Sequence, residues 1–507
     1  MPGETKETLK RNVKPKDPDE IAFAGDFNLA AVVIQNHKGE GVLPESGGEN
    51  ILPQMIELNI YESITKKAIT GTIVIADATN LIANLPIQGT ERILFKLSTP
   101  GAQGDVRTSV DASELTGHPF YVYKITNRQL DSAGVLTYTL HFGSREFMRN
   151  LRTKVSKAYS GTIDRMVAQI FSDKNGLDSR KIINLEETRN QDKVVIPNMR
   201  PLDAISMLAR RALPKNTNGV GYYFYETTKG FHFRSWQSMV SYKGATPVKP
   251  KQVFFYQPKE GGDEAIDDKG NEEDKIVNDY RNVEEYEFIN QFHDVAANTA
   301  LGTYGHRVIT HNIYDKTYKV DEYNYHETFN TSSHADSVIG KNNNAEINAI
   351  VRSPVDYDDL AVSDYPESRV SLQSTTRFSD DKDVGMYGKE VGRDGVLTGN
   401  RIGQAAQVRS GTRLRLLVKG QSYLEAGDKI TFNLRNVAAD NPDGEDDPQY
   451  SGDYIISKIR HRITPEDYKQ VLECVKDSVK SRWPGEVSEF PSRASRGTGV
   501  TIDIYKE

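Results

Sequence analysis

The sequence predicts a mainly β, α+β fold, in which two related antiparallel β-barrel, tube-like modules carry an α+β domain inserted between them. Three observations lead there. Runs with period-two alternation of β-branched and aromatic residues cluster at 55–142 and again at 412–477. Helical periodicity is concentrated between 160 and 210, and short blocks of the two β-rich regions superpose on one another. At 507 residues the chain exceeds the roughly 250–300 residues that one core sustains, so several folding units are required.

Residues 1–20 are charged throughout and predict an arm without an apolar signal segment. The first barrel module, 21–143, contains MIELNIY at 55–61, ITGTIVI at 69–75, ERILFKL at 91–97, PFYVYKIT at 119–126 and VLTYTLHF at 135–142, with a turn at 131–134 joining the last two. The α+β insert, 144–245, opens on a helix in which Ile163, Met166, Val167, Ile170 and Phe171 form the buried stripe. Ser160 is the expected cap of that helix, and Gly176 its end. A second helix starts at Pro201 and buries Leu202, Ile205, Leu208 and Ala209. YYFYET and KGFHFRSW then read as a hairpin around Lys229 and Gly230.

The second module begins at 246–300, interrupted by an acidic insertion at 259–275. A polar continuation of the insert follows at 301–393, and the second barrel proper occupies 394–480, with a helix expected at 396–408. Its strands are TRLRLLVKG at 412–420, DKITFNL at 428–434, SGDYIISKIR at 451–460 and YKQVLECVKD at 468–477. A second acidic loop at 440–449 lacks the spacing of a calcium loop. The Ser-, Gly- and Pro-rich tail, 481–507, ends in VTIDIY, a run suited to adding a strand to a partner's sheet.

The internal repeat sets Ile93, Phe95 and Leu97 on Ile430, Phe432 and Leu434 at an offset of 337. It sets Lys124, Ile125 and Arg128 on Lys458, Ile459 and Arg462 at an offset of 334. These twelve residues are the candidate ring-forming or core strands. One chain carrying two similar modules would let three chains present six, and a six-module ring could meet a six-fold partner.

Chemistry is not announced. A formal charge of −7, from 71 acidic and 64 basic residues, lacks the basic footprint of a nucleic-acid binder. The one cysteine, Cys474, sits in an apolar run and fits synthesis in a reducing cytoplasm. No window reaches the ~18 apolar residues of a membrane span. Zincin, nucleophile-elbow, P-loop and paired-Cys motifs are missing. The lysozyme-like spacing begun by Glu285 with Asp294, and by Glu327 with Asp336, fails at its third place, where Ala300 and Asn342 stand. His293, His306, His311, His326 and His334 lie close in sequence, yet no pair has the spacing of a metal shell. The tyrosines among them, Tyr304, Tyr314, Tyr318, Tyr323 and Tyr325, are candidate partner-contact aromatics. No catalytic, metal or cofactor site is expected.

With this order of elements, from YVYKITNRQLDSAGVLTYTLHFG through SGTIDRMVAQIFSD, VVIPNMRPLDAISMLARRA and YYFYETTKGFHFRSW to GDKITFNL and GDYIISKIRHRITPEDYKQVLECV, the chain resembles the central baseplate hub protein of contractile-tailed phages. That family is related to the N-terminal part of type VI secretion spike proteins. The resemblance covers roughly 20–480. It implies a structural virion protein without enzymatic activity: a homotrimeric, pseudo-six-fold ring joining a central spike protein to the tail tube protein, where tube growth starts. Wedge and tape-measure proteins are further implied partners, and the genome would pass through an acidic channel without specific binding. The N-terminal arm, the two acidic insertions and the polar segment depart from smaller hubs. Two other readings remain open at this point, a host-surface or carbohydrate-binding baseplate protein and a cell-wall hydrolase.

Overall fold

The computed structural model describes residues 25–42, 47–85, 87–99, 109–113, 118–130, 134–189, 191–217, 221–242, 246–256, 279–290, 295–312, 316–325, 327, 333–336, 362–374, 411–435, 446, 447 and 449–478. The first module is built from β1 (Asn28–Gln35), β2 (Met55–Ser63), β3 (Thr70–Asp77), β4 (Arg92–Ser98), β5 (Phe120–Leu130) and β6 (Leu136–Gly143). Their alternation is read out directly. Along β3, Gly71, Ile73 and Ile75 are buried while Thr70, Thr72 and Val74 are partly exposed. Leu58, Ile60, Ile93, Leu97, Leu140 and Phe142 complete the core beside them, each contributing about 1.5–3 kcal/mol by leaving water.

At Gly71 the core leaves no room. A Cβ there would lie 2.2 Å from Phe142 Cζ and 2.4 Å from the Asn59 carbonyl oxygen. Because one of those atoms is backbone and cannot swing away, Gly71→Ala is expected to destabilise the protein by about 3 kcal/mol, the upper end of overpacking costs. Denaturant unfolding would measure it, and an unchanged midpoint would contradict the packing described.

The insert comprises α1 (Arg145–Arg152), β7 (Val155–Thr162), α2 (Ile163–Ser172), β8 (Ile183–Leu185), β9 (Gln191–Met199), α3 (Pro201–Ala209), β10 (Tyr222–Thr227), β11 (Gly230–Ser235) and α4 (Trp236–Val240). All five expected stripe residues of α2 are buried, but Ser160 is not its cap. Ser160 lies inside β7, opposite Lys193 of β9. The helix starts three residues later, where the Asp164 amide donates to Thr188 Oγ1 at 3.1 Å, a cap borrowed from a distant segment. Pro201 occupies the first turn of α3 as its fixed φ allows. β10 and β11 form the expected hairpin, with Thr227 opposite Gly230.

The second module uses β12 (Gln252–Tyr256) and β13 (Glu285–Asn290). The chain then leaves to build a separate three-stranded sheet from β14 (Gly305–Asn312), β15 (Thr317–Asn324) and β16 (Val370–Ser374). It returns as β17 (Thr412–Lys419), β18 (Lys429–Leu434), β19 (Gly452–Ile463) and β20 (Tyr468–Lys476). The first module runs in the sheet order β1–β4–β5–β6–β3–β2, and the second in the order β12–β18–β19–β20–β17–β13. Numbering each module's strands along the chain, both orders are first, fourth, fifth, sixth, third, second. One difference separates them: β1 pairs β4 antiparallel, whereas β12 pairs β18 parallel.

β19 also pairs β2, which fuses the modules into one fourteen-stranded sheet, and in the second module β12 reaches back to the segment leading into β13 through a bridge between Phe255 and Asn282. The expected turn at 131–133, helix at 396–408, acidic insertion at 259–275 and both terminal segments lie outside the described residues, as do most of the 440–449 loop and much of 301–393. Among the described residues no helix is long and apolar enough to cross a membrane.

Candidate assembly interface

The repeat extends to individual hydrogen bonds. Arg92 and Ile93 face Tyr121 and Phe120 in the first module, as Lys429 and Ile430 face Ile455 and Tyr454 in the second. The Val122 amide donates to the Glu91 carbonyl at 2.9 Å, and the Ile456 amide to the Asp428 carbonyl at 2.9 Å. Each long strand is then interrupted by a bulge at the same place, between Val122 and Lys124 in β5 and between Ile456 and Lys458 in β19. Beyond it, Lys124 and Ile125 face His141 and Leu140 of β6, just as Lys458 and Ile459 face Glu473 and Leu472 of β20.

Past the bulge, the free side of β19 is covered by β2, from Lys458 opposite Ser63 to Ile463 opposite Leu58. Charges lace this seam. Arg460 Nη2 and Arg462 Nε reach the Glu57 carboxylate at 2.9 and 2.8 Å. Partial burial would raise the Glu57 carboxyl, but the hydrogen bonds and charges of Arg462 and Arg460, with Asn59, outweigh it and hold the group below its usual range. Glu62 is buried in the same seam and accepts from the Thr228 amide at 2.8 Å and the Ala426 amide at 3.0 Å, so one carboxylate ties both modules to the insert. Burial again pushes it up, and His461, 3.6 Å away, together with the two amides brings it below the usual carboxylate range.

The corresponding side of β5 has no strand against it among the described residues. The consequence shows at its end. Ile463 is fully buried, whereas Leu130, which faces Leu136 as Ile463 faces Tyr468, is 72% exposed. A cleft of about 490 Å³, lined by Asp77, Asn80, Arg128, Leu130 and Leu136, opens beside it. At the other end of the sheet lies β13, which occupies in the second module the place of β2 in the first; β12 meets the segment leading into it, where the Val283 amide donates to the Phe255 carbonyl at 3.0 Å, and along Glu285–Asn290 its outer side has no strand against it among the described residues.

Two buried charge clusters fix the modules to the insert. Lys181 Nζ lies 3.0 Å from Glu146 Oε2 and 2.5 Å from Glu226 Oε1, while Glu226 also accepts from the Ile69 amide and Ser144 Oγ. Burial alone would lower the Lys181 ammonium, but the two carboxylates raise it above its ordinary value. The second cluster centres on Asp477, which accepts from His334 Nδ1 at 2.9 Å, the Ala335 amide at 2.9 Å and Trp236 Nε1 at 3.2 Å. Burial pushes the Asp477 carboxyl up, and the His334 charge and the three donors outweigh it and lower it. Ala335 packs there with Ile64, Trp236, Ile455 and Val475, so a four-residue piece, 333–336, wedges into the joint of all three units. Its neighbour Asp336 sits 3.3 Å from the fully buried Lys476.

Of the residues singled out by sequence, Ile93, Phe95, Leu97, Ile430, Phe432 and Ile459 are buried core, Leu434 and Ile125 are partly buried, and Lys124, Arg128 and Lys458 lie outward. Arg128 does not take the ladder position of Arg462. A second bulge, with Asn127 at φ 55°, moves it out, and Gln129 faces Thr137 where Arg462 faces Lys469. Tyr304 is buried at 3% exposure and packs toward Tyr325, so it offers no contact surface in this chain. Tyr318, Tyr323 and Tyr325 are half-buried, and Tyr314 lies outside the described residues. Asp336, a candidate acid by spacing, is held by Lys476 and by the Asp453 amide. Cys474 is buried, which pushes its thiol up. Among the described residues no group of three or more His, Cys, Asp or Glu could hold a metal ion. Glu62, Lys181 and Asp477 were not singled out, because their partners lie 35 to 399 positions away and no local pattern marks them.

No family model and no curated protein matches the sequence. Solved structures of phage tail proteins and type VI secretion proteins are similar to it. A tail protein from Neisseria meningitidis aligns at 10% identity and a TM-score of 0.47, over 88% of this chain and 96% of that one. The 43 kDa tail protein of prophage MuSo2 from Shewanella oneidensis aligns at 10% identity and a TM-score of 0.46, over 88% and 98%. An Escherichia coli type VI secretion component, described as similar to T4 bacteriophage tail proteins gp27 and gp5, aligns at 8% identity and a TM-score of 0.38, over 86% and 77%.

Proposed function

We propose that the protein is a structural baseplate hub of a contractile phage tail, a homotrimeric ring of six similar modules that adapts a three-fold central spike to a hexameric tail tube. The observation that carries this reading is the repeated six-strand order joined edge to edge within one chain. Two modules per chain give three chains a pseudo-six-fold ring, and matched symmetry lets one face seat a tube ring while the other holds the spike. Wedge and tape-measure proteins would contact the loops and insertions, and some of the excess acid would line a channel through which the genome passes unbound. The buried charge clusters serve cohesion, since Glu62, Glu226 and Asp477 each accept from donors on distant segments of the chain, and no turnover is assigned to them.

Light scattering on the purified protein at micromolar concentrations tests the reading. A mass of three times 56.8 kDa is expected. A strict monomer, with and without a spike protein, would remove the geometric reason for the repeat and favour a host-surface binding role.

A further inference from the structure

We propose that β5 of one copy pairs antiparallel with β13 of the next, with Gln129 opposite Glu287 of the partner subunit and Leu130 opposite Tyr286 of the partner subunit. The inference rests on the ring reading and specifies the contact that would build it. Its origin is the seam already present within the chain. There, β19 past its bulge is covered by β2. Among the described residues the equivalent stretch of β5 in the first module has no strand against it, and neither has the outer side of β13, the equivalent of β2, along Glu285–Asn290 beyond its start against β12. One copy therefore carries both halves of a second seam, on opposite ends, where they cannot meet each other through the same sheet. A head-to-tail contact of this kind closes into a ring when the rotation allows.

The register follows from the ladders. Leu58 faces Ile73, which faces Leu140; Tyr286 faces Leu416, which faces Leu472. Leu140 and Leu472 are themselves equivalent, facing Ile125 and Ile459. Tyr286 thus stands for Leu58 and Glu287 for Asn59, while Arg413, paired with Asn290 as Thr70 is with Tyr61, makes Asn290 stand for Tyr61.

A test of fit is built into the bulges. Along the internal seam, Arg460 to Arg462 runs beside Asn59 to Tyr61, one residue intervening on each strand. Thr126 to Gln129 has two intervening residues because of the Asn127 bulge. Glu287 to Asn290 also has two, because β13 bulges between Phe288 and Asn290. Each free edge carries one extra residue in the same interval, so the two edges stay in step with each other, while either would lose step against the regular strand of the internal seam. Register is thereby specified and wrong pairing penalised.

Side chains agree. Leu130, exposed at 72%, gains the half-buried Tyr286 of the partner subunit, in the place where Ile463 has Leu58. The basic Lys124 and Arg128 of β5 meet an edge bearing Glu285 and Glu287. Glu285 holds the ladder position of Glu57, the acid that Arg460 and Arg462 grip in the internal seam.

The experiment uses the full chain with Gln129→Cys and Glu287→Cys together, two exposed positions, oxidised in solution alongside a light-scattering measurement. Cys474 is buried and gives little background. The expected result is a covalent trimer reversible by reductant, absent from either single variant and at least tenfold slower in a Gln129→Cys, Glu285→Cys control shifted by two residues. Leu130→Asp should raise the protein concentration for half-assembly at least tenfold while leaving the thermal midpoint of the monomer unchanged. A trimer by mass that cross-links equally well in the shifted control, or not at all, overturns the register and leaves the hub reading standing. A monomer at every concentration overturns both.

Discussion

Replacing Asp477 with alanine is expected to lower the unfolding free energy by about 3–5 kcal/mol, the cost of breaking a buried charged pair by removing one partner. Three donors converge on this carboxylate, His334 Nδ1, the Ala335 amide and Trp236 Nε1, from the wedge and from α4. Alanine leaves all three buried and unsatisfied. Asp477→Asn keeps an oxygen at the site and should cost about half as much, which separates hydrogen bonding from charge. The pH dependence has a definite sign. The Asp477 carboxyl is lowered in the folded state, so its contribution is present above the unfolded value of about 4 and is lost as pH falls through the lowered one. The gap between wild type and Asp477→Ala, followed by urea denaturation from pH 5 downward, should close as pH falls below about 4. A gap below 1 kcal/mol at neutral pH would show that the three units are not held at this joint.

Lys181→Met should be as damaging, about 3–5 kcal/mol at pH 7, and should reverse the pH response. Glu146 and Glu226 face the same ammonium, and Glu226, fully buried beside Glu146, is already raised above the usual carboxylate range. Without Lys181 both carboxyls would be raised. A raised acid costs stability as pH climbs from its unfolded value toward its folded one, so the variant, with two raised carboxyls, should gain more stability on acidification from pH 7 toward 5 than wild type, in which Glu226 is raised and Glu146 lowered. Parallel pH profiles for the two proteins would refute the assignment of Lys181 as the shared counter-ion.

Most strands of the two modules were legible because each is buried on one face, which imposes strict alternation on residues such as Ile73 and Ile75 or Leu414 and Leu416. The repeat was legible through the same alternation, and the structure extends it from a few matching residues to strand order, register and a shared bulge. The region of β12 and β13 was placed at the start of the second module but without strand bounds, because the two strands flank an acidic insertion and carry mixed patterns, with Glu285 and Glu287 alternating with Tyr286 and Phe288. Ser160 failed as a cap because β7 continues to Thr162, and sequence alone cannot tell that Thr188 would arrive to serve Asp164. Arg128 looked like the match of Arg462 because a bulge inserts a residue without leaving a compositional trace. The buried clusters of Lys181 and Asp477 were illegible for a plainer reason, since Lys181 meets Glu146 and Glu226 only once the insert has folded, and Asp477 meets His334 and Trp236 only once the second module, the wedge and the insert have come together.

The pairing of β19 with β2 has a temporal consequence. It joins Ile463 to Leu58 and Lys458 to Ser63, strands separated by nearly the whole described chain. Contacts of such sequence separation form slowly, because a long stretch of chain must lose its freedom before they are made. During synthesis β2 emerges early and waits with one edge open while some four hundred residues follow it. The first module can therefore acquire its mature flank only after the second has been translated. A ribosome that stalls before Gly452 leaves a product whose unfinished edge is a target for chaperones and proteases, so incomplete chains are marked for removal before they can poison an assembly.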